Sequence, residues 1–287
     1  MITDYILIIG AMKSGTTTLF DLLAQHPEIA PAEPKEPGFF AFDPLWDQGF
    51  AHYESLFAFD PAKHRYALDG STDYAKQPFC PEVPARLAAS APRRFKLIYI
   101  LRHPLRRIES HARHVQRTRK ELGQTVSDRP DHGLESGVSP VSLACGRYAM
   151  QIDAYRDWVA RGDLLLLSFE ELISDQAGVM ARVLAFLDLP EIAFAETHAN
   201  EAGSTRKMPG WWKSVTASPL KDVAKALLPA GLRTRVKAGL SRKVTVTGRF
   251  ELTAAEEADL MAELRDDLIR LRDVHGFDIA GHWGISL

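Results

Sequence analysis

Residues 6–23 constrain this chain more than any other stretch. Ile6, Leu7, Ile8 and Ile9 form a short apolar run rich in β-branched residues, which predicts a buried strand. Gly10 interrupts it, and Lys13, Ser14, Gly15, Thr16 and Thr17 follow. Leu19, Phe20, Leu22 and Leu23 then recur at helical spacing. Strand, glycine loop and helix in that order aim backbone N–H groups and a helix N-terminus at a phosphate. Lys13 adds a point charge, and the hydroxyls of Ser14, Thr16 and Thr17 add donors. The rival reading of Lys13 is a solvated loop lysine; its place between strand and helix, beside those hydroxyls, speaks against it.

Downstream, strands alternate with helices. His26-Pro27 ends the first helix, because proline disfavours helical geometry in the residue before it. Pro34-Lys-Glu-Pro-Gly-Phe-Phe40 reads as an ordered loop or short strand. Residues 43–62 carry aromatics at helical spacing, Tyr66–Asp69 reads as a strand, and a helix is expected around Pro81–Ala89. Phe95–Leu101 is the clearest strand after the first, and Pro104 opens a helix to about Lys120. Residues 124–139 are a candidate lid. Ser142–Ala160 is amphipathic, Leu164–Leu167 a buried strand and Gln176–Leu187 a helix. Lys213–Lys243 is basic and reads as a solvated helix face, with an anionic acceptor or lipid surface as the sharper alternative. Thr253 with Glu256 makes a capping box before the amphipathic helix Thr253–Val274. The expected fold is therefore α/β: a central, mainly parallel sheet with helices on both faces and a P-loop-like strand-loop-helix at the N-terminus.

Composition narrows the function classes. A chain of 287 residues with no Gly/Ser or Pro-rich linker is read as a single domain spanning 1–287. Its net charge of −2 argues against a general nucleic-acid binder. The two cysteines, Cys80 and Cys145, suggest no disulfide framework and so a reducing compartment. No run is long enough to span a membrane, and the first strand begins so near Met1 that no signal peptide is expected. A cytoplasmic protein is the resulting expectation. No His/Cys cluster has metal spacing.

The glycine loop is not a nucleoside-triphosphate P-loop. That pattern places lysine after the second glycine, whereas Lys13 precedes Gly15. The strand 95–101 also ends in Arg102, where a kinase would need a metal-binding carboxylate. A P-loop kinase is thus the weaker alternative, and a non-catalytic nucleotide-binding module a third. Gly10-Ala-Met-Lys-Ser-Gly-Thr-Thr-Thr-Leu19 instead resembles the 5′-phosphosulfate loop of sulfotransferases that use 3′-phosphoadenosine 5′-phosphosulfate (PAPS). Arg102, at a strand end, with Ser110 eight residues on in the next helix, resembles the pair that grips the 3′-phosphate in that family. Lys35-Glu-Pro-Gly-Phe-Phe40 looks like the Lys-Glu-x-x-Phe-Phe segment of the heparan-sulfate type, whose glutamate is the proposed base. Leu165-Leu-Leu-Ser-Phe-Glu-Glu-Leu172 and the C-terminal segment through Trp283 are also similar, so the resemblance covers nearly the whole chain.

What the resemblance implies can be stated by residue. PAPS is the sulfuryl donor, adenosine 3′,5′-bisphosphate the product, and no metal is needed. Lys13 stabilises the leaving phosphate with Ser14, Gly15, Thr16 and Thr17, while Arg102 and Ser110 hold the 3′-phosphate. Arg206 and Lys207 stand evenly between phosphate contact and surface. Glu36 takes the acceptor's proton, aided by partial desolvation from Phe39 and Phe40; a surface pair with Lys35 is the local alternative. Rival bases are His103, His111, Asp69 and Asp73, the two aspartates more commonly having turn or cap roles. Trp211 and Trp212 read as core before acceptor wall. The acceptor is a carbohydrate-type hydroxyl or amine, or a lipid or natural-product hydroxyl.

Overall fold

A computed structural model describes residues 1–121, 138–195, 204–207, 242–245 and 250–287; for 119–121, 204–207 and 242–245 it describes the backbone alone. Two compact units result, Met1–Ala199 with Phe250–Leu287, and Asn200–Arg249. In the second, strands Ser204–Lys207 and Arg242–Thr245 pair antiparallel.

The first unit is built on five parallel strands: β1 (Asp4–Gly10), β2 (Ile29–Pro31), β3 (Tyr66–Asp69), β4 (Arg94–Leu101) and β5 (Leu164–Ser168), in the order β2-β3-β1-β4-β5. Alternation along β1 shows why both faces must be covered. Ile6 and Ile8 pack with Ile98 and Ile100 against Leu19, Phe20 and Leu23 of the helix Thr16–Leu23 and against Val183 and Leu187 of the helix Gln176–Leu187. Tyr5, Leu7 and Ile9 pack on the opposite face with Leu97, Tyr99 and Ile108, and with Leu264 and Leu268 of the helix Ala254–Asp273. Helices therefore cover both faces, as expected. The Thr253/Glu256 capping box forms at the head of that last helix.

Register decides what gathers at the C-terminal edge of the sheet. Leu7 pairs with Asp69, Gly10 with Tyr99 and Leu101 with Ser168. The chain thus leaves β1, β3, β4 and β5 on one side, where ligands of open α/β sheets bind.

Three local details go beyond the sequence pattern. The amphipathic stretch 142–160 folds as three short helices, Pro140–Ala144, Tyr148–Asp153 and Arg156–Arg161. Gln151 spans the first break, donating to Ala144 O (3.0 Å) and Gln77 O (3.1 Å), so tertiary hydrogen bonds replace helical continuity. Residues 43–62 yield two short helices, Asp43–Trp46 and Gly49–Glu54. Finally, β2 is only three residues long, too short to announce itself by pattern. Residues 124–137 of the candidate lid, most of the basic stretch 213–243, and Trp211 and Trp212 lie outside the described residues.

Candidate active site

The loop after β1 is bent by two left-handed residues, Lys13 (φ 73°) and Gly15 (φ 87°). Gly15 is required twice over. A side chain disfavours its φ, and a Cβ there would lie 2.6 Å from the Phe169 ring. Lys13 has no such excuse and stores strain of order 1–2 kcal/mol, a mark of functional backbone. Gly15 caps the helix Thr16–Leu23 with no side-chain hydrogen bond, so its first-turn N–H groups keep their donor capacity. The hydroxyl residues divide: Ser14 and Thr16 are buried, whereas Thr17 is exposed.

Arg102 joins this loop directly. Its Nη1 donates to Lys13 O at 3.1 Å, and its guanidinium lies 4.6 Å from the centre of the Phe169 ring. One ring therefore supports both Gly15 and Arg102. Glu170, the next residue, accepts from His103 N (3.0 Å) and Trp283 Nε1 (3.0 Å), fixing the turn between β4 and the helix Pro104–Glu121. Phe169 and Glu170 were visible only as part of a family-like segment; the clue to their task was their place immediately after a buried strand. Ser110 lies half-buried on that helix. For Arg206 and Lys207 only the backbone, in the strand Ser204–Lys207, is described.

Electrostatics and unmet hydrogen bonds point to the same kind of ligand. Burial lowers the Lys13 ammonium pKa, and Arg117, Arg102 and Arg113 lower it further, while Glu36 opposes them. Burial likewise lowers that of Arg102. Ser14 Oγ and Arg102 Nε are buried without a hydrogen-bond partner among the described residues. Buried donors among crowded cations call for an oxygen-rich anion. The residues present therefore fit the phosphate groups of a nucleotide carrying phosphate at both ends.

A second group of residues surrounds Glu36. The segment 36–40 is tied to the end of β3 by a buried carboxylate, Asp69, which is fully enclosed. Its Oδ1 accepts from Ser71 N (2.8 Å) and Ser71 Oγ (2.6 Å), and its Oδ2 from Tyr53 OH (2.8 Å) and Tyr74 OH (2.7 Å). Ser71 Oγ in turn accepts from Gly38 N at 2.9 Å, and Tyr74 OH from Phe40 N at 3.4 Å. Burial raises the Asp69 pKa against these hydrogen bonds. Asp69 is thus an anchor for the loop and not an available base; its spacing from Ser71 and Tyr74 was the one hint in the sequence. Asp73 is paired with Lys76.

Glu36 itself has a 43% exposed side chain, and Lys35 Nζ lies 2.6 Å from its Oε1. The expected desolvation by Phe39 and Phe40 does not occur. Both rings turn into the core, stacked on or edging Tyr53, Trp46 and Phe50, because an aromatic cluster offers them more buried contact than a lone carboxylate.

The histidines are poor rivals. Burial, then the charges of Arg107, His114, Lys13 and Lys76, push the His111 imidazole down to about 3. Burial also lowers His103, whose Nδ1 has no partner among the described residues. An imidazole as depressed as that of His111 takes up protons less readily than an ordinary carboxylate. It also has a stability consequence. Between about pH 6.5 and pH 3 unfolded His111 binds a proton that the folded form refuses. Stability is therefore full above pH 6.5 and falls as the pH drops towards 3, with an upper bound of about 5 kcal/mol. His111→Gln should flatten that acid limb in a series of thermal melts; an unchanged limb would refute the assignment.

Among the described residues no cluster suited to a metal ion occurs, and no helix is long and apolar enough to cross a membrane. The sulfotransferase domain family matches residues 3–202. Human heparan sulfate glucosamine 3-O-sulfotransferase 6 is 33% identical over 202 residues, covering 65% of this chain and 52% of its own length. The bifunctional heparan sulfate N-deacetylase/N-sulfotransferase 1 of Caenorhabditis briggsae is 26% identical over 209 residues, covering 67% and 23%. The chain spans about half the length of the first of these relatives. In fold it is similar to a sulfotransferase from Alicyclobacillus acidocaldarius, with a TM-score of 0.54 at 24% identity, covering 76% of this chain and 92% of that one. A glycine loop and a strand-end arginine joined at one sheet edge, with a family match over more than two thirds of the chain, lead to one conclusion: this chain belongs to the sulfotransferase domain family.

Proposed function

We propose that this protein transfers the sulfuryl group of PAPS to an acceptor hydroxyl or amine. The observation that carries the reading is the Arg102–Lys13 hydrogen bond, which joins the two phosphate-seeking segments into one binding surface. PAPS supplies an SO₃ group bonded to a good leaving phosphate. Lys13 and the first-turn N–H groups of the helix Thr16–Leu23 receive the leaving phosphate, with Ser14 and Thr16 beside them. Arg102 and Ser110 receive the 3′-phosphate, the guanidinium offering bidentate donation. As the acceptor oxygen bonds to sulfur, the bridging S–O bond breaks and its electron pair goes to the phosphate. The acceptor's proton passes to the carboxylate of Glu36. A glycan hydroxyl is the favoured acceptor class, supported by the Lys-Glu-x-x-Phe-Phe likeness and by the heparan sulfate enzymes among the relatives. A lipid or natural-product hydroxyl is the competing class.

Calorimetric titration checks the nucleotide half of this reading. Adenosine 3′,5′-bisphosphate should bind without added metal, and Arg102→Ala should weaken it about tenfold to a hundredfold, the loss expected for a charge-assisted contact. Preference for ATP·Mg²⁺ over the bisphosphate would overturn it.

A further inference from the structure

Glu36 and Lys35 are neighbours in an irregular segment, yet their charged ends meet. The ammonium is held by more than Glu36. Lys35 Nζ lies 3.4 Å from Gly70 O and 5.6 Å from the centre of the Phe20 ring. The Lys35 backbone is pinned as well, its carbonyl accepting from Gly70 N at 3.0 Å. The carbon stem runs through the space that a side chain at position 70 would need. A Cβ on Gly70 would stand 3.2 Å from Lys35 Cε, 3.4 Å from Lys35 Cγ and 2.9 Å from Phe20 Cδ2. A carboxylate, a carbonyl and an aromatic face thus surround one ammonium, on a stem laid in a groove that only glycine leaves open. The Lys35 side chain is 21% exposed, so it is not a lysine simply waving in solvent.

We propose that Lys35 is a positioning residue for Glu36, acting on the base assigned under the proposed function and resting on that assignment. Lys35 occupies Oε1 and leaves Oε2 as the oxygen that meets the acceptor's proton. A glutamate with three free rotors would spend most of its time elsewhere; one charge-assisted hydrogen bond from a fixed ammonium removes that freedom. Glu36 also acts electrostatically on Lys13, so the two charges feel one another across the site. The pair is too exposed to add much to folding stability. What it contributes is orientation, and a misplaced catalytic group commonly costs about a hundredfold in rate.

The test combines kinetics with structure. Lys35→Met, Lys35→Arg, Glu36→Gln and the double variant Lys35→Met/Glu36→Gln are assayed with labelled PAPS and an N-sulfated heparosan oligosaccharide. Crystals of wild type and Lys35→Met are grown with adenosine 3′,5′-bisphosphate. Lys35→Met should lower kcat about tenfold to a hundredfold, with KM and bisphosphate affinity unchanged. Arginine should restore much of the loss. The double variant should be no slower than Glu36→Gln alone, because Lys35 acts through Glu36. In the crystals, the Glu36 carboxylate should leave its wild-type orientation when Lys35 is methionine. Wild-type turnover in Lys35→Met, or an unmoved Glu36, overturns the positioning role while leaving the base in place. Wild-type turnover in Glu36→Gln overturns the base itself. If the oligosaccharide is not turned over at all, the acceptor class falls and the two crystal structures still decide on Lys35.

Discussion

Replacing Lys13 with glycine should make the unliganded protein more stable and cut its sulfuryl transfer about 10²- to 10³-fold. The two effects have separate origins. In the folded protein Lys13 sits at φ 73°, a conformation that disfavours any residue with a Cβ. It is also half-buried, and burial first, then the charges of Arg117, Arg102 and Arg113, depress its ammonium pKa. Glycine removes both penalties, so the midpoint of thermal unfolding without nucleotide should rise. The same change removes the cation that the proposed function sets against the leaving phosphate. Charge develops there as the S–O bond breaks, and losing one preorganised donor at such a point costs on the order of 3–4 kcal/mol of transition-state stabilisation. Melting curves and a labelled-donor assay on one preparation read both numbers. A Lys13→Gly variant that gains stability and keeps full turnover would show that the strained lysine serves something other than this reaction.

Removal of Asp69 should have the opposite character: a loss of folding stability of about 3 kcal/mol or more, with activity lost as a consequence. Alanine at this position leaves Ser71 N, Ser71 Oγ, Tyr53 OH and Tyr74 OH without their shared acceptor, in a site closed to water. Each stranded buried donor costs roughly 1–3 kcal/mol, partly recovered by rearrangement. Damage spreads because Ser71 and Tyr74 are also what hold Gly38 N and Phe40 N. The segment bearing Glu36 would then lose its anchor. Asparagine keeps an acceptor oxygen and carries no charge to bury, so Asp69→Asn should fall between wild type and alanine. Urea unfolding orders the three proteins; equal midpoints would mean that the tyrosine and serine donors find other partners.

The strand-loop-helix at the N-terminus and the strand-end position of Arg102 were legible in the sequence. The order of residues 10–17 and the placement of Arg102 at a strand end are local facts, and local facts survive folding. So did the capping box at Thr253 and Glu256. Less legible was anything settled by partners far away in sequence. Ser14 and Thr17 look alike in the sequence, yet Ser14 is buried in the loop before the helix while Thr17 is exposed in its first turn, a difference set by the left-handed bend at Gly15 between them. Asp69 reads as a turn aspartate until Tyr53, sixteen residues upstream, is found donating to it. Phe39 and Phe40 sit beside Glu36 in sequence but belong to a cluster with Trp46, Phe50 and Tyr53. The pairing of Lys35 with Glu36 was legible as the local alternative, but the path of the lysine stem was not, because the space it uses is defined by what Gly70 lacks.

The strand order has an evolutionary consequence. The residues proposed to receive the nucleotide hang from β1, β4 and β5, and the residues around Glu36 hang from β2 and β3, towards the other end of the sheet. Substitutions in the segment between β2 and β3 reach the glycine loop's side of the sheet only where Lys35 lies over Phe20 and through the field that Glu36 exerts on Lys13, while Phe169 and Arg102 hold to one another. Under the proposed function, such a layout would let a lineage exchange one acceptor for another while its grip on the donor stays the same. Sequence drift among relatives of this chain should accordingly concentrate in residues 33–65, and a graft of that segment should carry acceptor preference with it.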